Sequence, residues 1–418
     1  MTAQRNQRSA KAVANDNALR SAAVGEIQRV GIDQLSLRDV SHAAGLTHGA
    51  TYARFEDADE LLIDLWNSTL RERLQAMFEL SISAAQDPSA KTVGELFELL
   101  RNADARDLAA IELLLTSRRN PILREECESF IQNYLELDEG TTGDSRAIFS
   151  RSVLLFGTMM ARLYSDSHFG VDENYNNAFE KLLIESLSVS PSEIDVVDLH
   201  SPDRPDIRAR FHEGDSLRAD LAYATFRVVG RSGYTGATIS RIARRANCSP
   251  AAIYKSHQSK EDLVVGTFVD ILGTQRMNLA DVANILDGTF LAEAMNSESS
   301  EESELRRNFV LELFLAAGHH DKIRETIRKQ LTNLESSIPI VIALDDDEGD
   351  RLRYMIRSVI TTLIGASWIS TLCETATKLD FTQFTEPLNR AILLRWLPDW
   401  ETMSRQIRSA SMGSSRAT

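Results

Sequence analysis

Apolar side chains recur at intervals of three and four residues along most of the chain, the period of a helix that buries one face. Ala18 to Val30 and Leu217 to Gly230 follow this period and stop at or beside glycine, as helices often do. The same pattern predicts helices over Glu60 to Leu80, Val93 to Leu100, Ala105 to Thr116, Pro121 to Leu137, Arg146 to Tyr164 and Asn174 to Ser188, and the second half of the chain follows suit. Alternating strand patterns closed by Asn-Gly or Asp-Gly turns do not occur. The predicted fold class is therefore all-α. Two acidic stretches, Ser297 to Glu304 and Asp345 to Asp350, lack the period and are expected as solvated loops; the second does not have the ligand spacing of a calcium loop.

The hydrophobic pattern repeats at long range. Gly31 to Leu61 lies without gaps on Gly233 to Leu263, an offset of 202 residues, with Gly31/Gly233, Ala44/Ala246, Ala50/Ala252, Tyr52/Tyr254 and Leu61/Leu263 identical. Upstream, Leu19/Leu221, Ala22/Ala224 and Arg29/Arg231 keep that offset. A second match starts at Ile111 and Leu311, an offset of 200, and pairs Glu112/Glu312, Leu113/Leu313, Leu115/Leu315, Arg124/Arg324, Glu125/Glu325 and Asn133/Asn333. Matches so far apart within each copy mean that whole domains are duplicated. Between the copies, Val189 to Asp206 contains three prolines and many small polar residues, the composition of a linker.

Inside each copy the spacing predicts a helix, a tight turn and a second short helix. In the first, Ser36 caps Leu37 to Ala44, Gly45 makes the turn, and Thr47 caps His48 to Phe55. In the second, Thr238 caps Ile239 to Ala246, Asn247 takes the turn, and Ser249 followed by Pro250 opens the next helix, a favourable order of cap and first helical residue. Helix-turn-helix units that bind DNA place the second helix in the major groove. Small residues at Gly49 and Ala50 would let that helix sit deep, with Tyr52 and Arg54 placed for phosphates or bases.

Composition supports packed cores and constrains partners. The chain has 418 residues, 43% of them hydrophobic, which suits two domains of roughly 200 residues. No run of about 18 apolar residues occurs and no apolar stretch follows the basic N-terminus, so neither a membrane span nor a secretory signal is expected, and a cytoplasmic location follows. Cys127, Cys248 and Cys373 show neither disulfide nor metal-ligand spacing and read as reduced thiols, Cys248 as a small apolar turn residue. A net charge of −15 argues against nucleic acid as a partner until its distribution is considered. From Ala224 to Lys260 the basic residues are Arg227, Arg231, Arg241, Arg244, Arg245, Lys255 and Lys260, and none is acidic. The equivalent stretch, Ala22 to Ala58, sets Arg29, Arg38 and Arg54 against Glu26, Asp33, Asp39, Glu56 and Asp57. The second unit is expected to supply most of the attraction to phosphates, with the basic tail Arg5, Arg8 and Lys11 helping the first as an arm into an adjacent groove.

Both segments resemble the N-terminal domain of TetR/AcrR-type regulators: a glycine, a Ser/Thr-hydrophobic pair, an Ile-Ala-x-x-Ala-Gly-Val-Ser helix and turn, then Tyr-x-x-Phe and Lys-x-x-Leu. The likeness is stronger in TISRIARRANCSPAAIYKSHQSKEDL of the second copy than in the first. It implies DNA contacts from Arg38, His48, Gly49, Ala50, Tyr52 and Arg54, and from Thr238, Ser240, Pro250, Ala251, Ala252, Tyr254 and Lys260. The capping residues Thr47 and Ser249 and the basic residues Arg241 and Lys255 complete the candidate DNA-binding set. Ala58 stands where the family has a lysine, and His257 where it has an aromatic residue.

The expected organisation is a first helix-turn-helix domain (1–65), a first helical effector and dimerisation domain (66–188), a linker (189–206), a second helix-turn-helix domain (207–267) and a second helical domain (268–410). The resemblance implies a transcriptional regulator, a repressor, whose partners are double-stranded DNA and a small-molecule effector, with no cofactor. Its dimer bundle would form either inside one chain, Arg146 to Tyr164 and Asn174 to Ser188 packing on Asp350 to Thr371 and Phe381 to Leu397, or between two chains. Phe156, Met160, Tyr164, Tyr354 and Trp368 are read as core or dimer packing, with an effector pocket as the alternative. His319 and His320 read as a helix-end pair, since no further metal ligand stands at the right spacing. No Gly-rich phosphate loop, nucleophile elbow or HExxH pattern occurs, so an enzyme is not expected. A helical adaptor or ligand-binding protein with one or both DNA-binding units degenerate is the alternative function.

Overall fold

A computed structural model describes residues 2–136, 141–170, 172–188, 216–273, 301–342 and 346–373. Every regular element among the described residues is helical. In the first half these are α1 (Thr2–Val30), α2 (Leu37–Ala43), α3 (His48–Tyr52), α4 (Ala58–Leu65), α5 (Arg71–Gln86), α6 (Ala90–Arg101), α7 (Ala105–Ser117), α8 (Pro121–Tyr134), α9 (Gly143–Phe169) and α10 (Glu173–Leu187). In the second they are α11 (Ser216–Gly236), α12 (Ile239–Arg245), α13 (Pro250–Ser256), α14 (Lys260–Gly273), α15 (Glu301–Ala317), α16 (Asp321–Ile342) and α17 (Asp346–Leu372). The all-α class stands.

Several boundaries differ from the expected ones, each for a local reason. Helix α1 begins at Thr2, so Arg5, Arg8 and Lys11 lie on a helical extension and not on an extended arm. Residues 2–17 contain no glycine or proline and are rich in Ala, Arg and Gln, all good helix formers. The helix expected over Glu60 to Leu80 is divided: α4 and α5 are joined by one π turn, Trp66–Leu70, which buries Trp66 edge-on against Phe130. The described part of each acidic stretch is helical and not the loop expected of it. Glu301, Glu302 and Glu304 form the first turn of α15, and Asp346 to Asp350 open α17. Carboxylates suit both places because the helix N-terminus carries the positive end of the dipole. The rest of those stretches, the linker Val189 to Asp206 and the expected helix Phe381 to Leu397 lie outside the described residues.

Each half repeats one plan. Helices α1 to α4 of the first half correspond in order to α11 to α14 of the second, and α7, α8 and α9 to α15, α16 and α17. Helix α1 stops beside Gly31 at φ +82°, and α11 is kinked at the equivalent Gly233, φ +73°, before its last turn to Gly236. The core runs through both halves without a break. Its centre is the crossing of α9 and α17. There the backbones touch, and a Cβ on Gly365 would fall 2.3 Å from the carbonyl carbon of Gly157. Glycine at both positions permits this approach, as small residues do wherever helices cross closely. Around the crossing, Tyr164 meets Trp368 edge-on with ring centres 5.7 Å apart and donates to the Leu315 carbonyl at 3.2 Å. Arg124 donates to the Leu372 carbonyl at 2.6 Å, and α10 rests on α17 through Tyr175 and Thr361.

Candidate nucleic-acid interface

In the first reading head, Ser36 and Thr47 accept the amides of Asp39 and Ala50, so both short helices are capped as their sequence requires. Gly45 makes the turn between them at φ +67°. In the second head Thr238 and Ser249 accept the amides of Arg241 and Ala252, Pro250 follows its cap, and Asn247 takes the turn at φ +52°. The seams between the paired helices differ. Ser41 and Thr51 are buried and share a hydrogen bond of 2.8 Å, whereas the equivalent Ala243 and Ile253 pack as an apolar contact.

The outer face of each recognition helix is open. Arg38, Thr47, His48, Gly49 and Tyr52 are exposed and Ala50 is half-buried. In the second head Thr238, Ser240, Arg241, Ser249, Pro250, Ala251, Tyr254 and Lys255 are exposed and Ala252 is half-buried. Tyr52 is 53% exposed and its counterpart Tyr254 57%. Each head thus exposes most of its candidates together with one tyrosine.

Three of the basic candidates are already engaged. Arg54 pairs with Asp16 and donates to the Ala12 carbonyl, which turns it toward α1. Lys260 donates to the Tyr234 carbonyl at 3.0 Å and lies 3.9 Å from the centre of that ring, where burial lowers its pKa. Arg241 remains exposed but donates to the Gly236 carbonyl at 2.7 Å. Of the other basic residues in the second head, Arg227 and Arg231 both pair with Glu301. Arg244, Arg245 and Lys255 are exposed and make no ion pair among the described residues. The acidic excess of the first head is also partly spoken for: Asp33 pairs with Arg119, Glu26 with Arg29, and Asp57 caps α4.

Residues 223–266, from within α11 into α14, match the family model for bacterial regulatory proteins of the tetR family. The second head is therefore similar to the DNA-binding domain of that family. The chain thus carries a helix-turn-helix domain of DNA-binding regulators. Comparison with curated proteins gives no match. The first head lies outside the matched residues and shares with the second its register and its capped helices.

The five aromatic and sulfur side chains weighed as an effector pocket are placed as follows. Phe156, Met160, Tyr164 and Trp368 are buried to within 1% and Tyr354 is half-buried. Phe156 packs edge-on against Phe78 at 5.3 Å, and Trp368 also meets Phe314. Cys248 is half-buried against the core of its head, and burial raises its thiol pKa, in keeping with a small apolar turn residue. Among the described residues no helix is long and apolar enough to cross a membrane, and no group of His, Cys, Asp and Glu is arranged for a metal.

Sequence reasoning passed over a buried charge cluster behind the heads. Glu112 accepts from the Ile32 amide at 2.8 Å and faces His319 Nε2 at 3.1 Å. Glu312 accepts from Arg118 and from Arg119 Nε at 2.7 Å, while the other edge of Arg119 forks Asp33 at 2.6 and 2.7 Å. Burial works against the charge on Arg119, but Glu312 and Asp33 outweigh it and hold the pKa above its ordinary value. Two hints were present in the sequence: a glutamate at the same repeat position on two otherwise apolar helices, and a histidine at the end of one of them.

Proposed function

We propose that the chain is a sequence-specific transcriptional regulator, a repressor, that reads double-stranded DNA with both heads as an intramolecular pseudo-dimer. The observation that carries this reading is the pair of capped recognition helices with equivalent exposed tyrosines, Tyr52 and Tyr254, on two halves joined through α9 and α17. Proteins of this architecture separate paired recognition helices by about one DNA turn, roughly 34 to 36 Å. Because His48 and Gly49 stand where Pro250 and Ala251 stand in the other head, beside the shared tyrosine, the two half-sites differ in sequence. A small-molecule effector, bound in the helical domains, acts by shifting the population between DNA-competent and incompetent head arrangements. The chain works by binding and not by catalysis, in the cytoplasm, with domains bounded as the sequence suggests.

The experiment is a salt titration of binding to duplexes enriched from a random pool by the full chain. Replacing Arg244, Arg245 and Lys255 with alanine is expected to reduce the slope of log affinity against log salt by about 0.9 for every phosphate no longer neutralised. Arg38→Ala is expected to reduce it by the amount of a single phosphate. Retention of no duplex by the native chain would contradict the reading. A second reading, in which the first head packs but does not read, is favoured by Arg54 being held on Asp16. Enrichment of a single half-site, with no effect of Tyr52→Ala, would establish it.

A further inference from the structure

The turn behind each reading head is covered by a side chain from the opposite half of the chain. In the first head the turn glycine is Gly31, and a Cβ there would lie 2.9 Å from the His319 ring. In the second it is Gly233, and a Cβ there would lie 2.8 Å from the Arg119 guanidinium. Each covering residue is seated on the carboxylate of the half whose head it covers, His319 on Glu112 and Arg119 on Glu312. Glu112 and Glu312 are one repeat apart, and so are Arg119 and His319, an offset of 200 residues in both cases. The two contacts are thus the same contact made twice, crosswise, by a duplicated segment. All four side chains line one cleft with Asp33, Tyr234 and His320.

We propose that Arg119 and His319 are positioning residues which set the separation of the two heads, and so the spacing between half-sites that the chain accepts. The proposal rests on the reading of both heads as DNA-binding. The physical argument is about desolvation and shape. Glu112 and Glu312 have side chains 7% and 1% exposed, so neither carboxylate has enough water to replace a missing partner. Each head therefore has one low-energy seat, reached only when the opposite half is in place. Gly31 and Gly233 keep that seat shallow enough for the covering group, and their positive φ leaves little room for another residue. The two seats are not equal. Arg119 binds Glu312 and Asp33 with two edges of one rigid plane, whereas His319 offers its carboxylate a single nitrogen. Asp33 belongs to the first head, so one guanidinium ties the first head to the carboxylate behind the second.

None of these residues lies on the outer face of a recognition helix, which makes a test possible. Spin labels at Arg38→Cys and Ser240→Cys, in a Cys248→Ser background of the full chain, report the distance between heads. Unlabelled chains that keep Arg38, Ser240 and Cys248 are used in parallel to enrich half-site pairs from a pool of random duplexes. The native chain is expected to give one narrow distance distribution and one preferred spacing. Arg119→Ala and His319→Ala are each expected to broaden the distribution and to reduce the preference for that spacing at least about fivefold, with the base preferences within each half-site unchanged. His319→Gln, which retains a donor for Glu112, is expected to restore both. Should Arg119→Ala fail to fold, Arg119→Lys serves in its place, since an ammonium cannot fork Glu312 and Asp33 together. A narrow distribution and native spacing preference in the folded Arg119 and His319 variants would overturn the proposal. Broadened distances in chains that enrich no duplex would instead leave the clamp standing and remove the DNA-binding reading beneath it.

Discussion

His168 shows how a single side chain ties the joint between the halves to pH. It lies on α9 with its ring 4.3 Å from that of Tyr164, beside Gly318 of the second half. Burial, with His319 and Arg324 nearby, lowers its pKa to about 4. An unfolded histidine titrates near 6.5, so between about 6.5 and 4 the unfolded chain binds the extra proton and the folded chain does not. Stability from this residue is full above about pH 6.5 and is lost as pH falls toward 4. Thermal melts across that range are expected to show a falling midpoint, and His168→Gln a flatter fall. An unchanged slope in the variant would mean that His168 is open to water in the folded chain.

Among elements, α9 and α17 carry the most. Gly365→Val would drive a branched side chain into the backbone of Gly157, an overpacking that typically costs about 1 to 3 kcal/mol. Urea unfolding is expected to give a stability lower by that amount and so a lower midpoint, and Gly25→Ala, where a Cβ meets nothing within 4 Å, is expected to have no such penalty. Equal midpoints for Gly365→Val and the native chain would separate the two helices. The helices themselves were legible because periodicity and caps are local: Ser36, Thr47, Thr238 and Ser249 all cap as their neighbours demand. The turn at Asn247 and the recognition helix after Pro250 were legible for the same reason. What escaped is the long-range chemistry. Nothing near Arg119 in sequence announces Asp33 or Glu312, and Arg54 and Lys260 looked available because Asp16 and the Tyr234 carbonyl are distant along the chain. The acidic stretches were misread as loops because charge was weighed without the helix dipole that rewards it at an N-terminus.

At the scale of the whole molecule, two helix-turn-helix heads sit on one continuous core. Tethering makes the second binding event intramolecular, so a weaker first head can contribute at an effective concentration set by the fold. The heads differ in charge as well. Arg244, Arg245 and Lys255 face solvent on one, while the other offers Arg38 beside several carboxylates already paired or capping. A duplex read this way has two unlike half-sites, served by one polypeptide. The most direct measurement is the mass and stoichiometry of the complex with an enriched duplex, by analytical ultracentrifugation, together with its footprint. One chain per duplex, protecting two dissimilar half-sites about one helical turn apart, is the expected result. Two chains per duplex on identical half-sites would contradict the internal pairing of the heads.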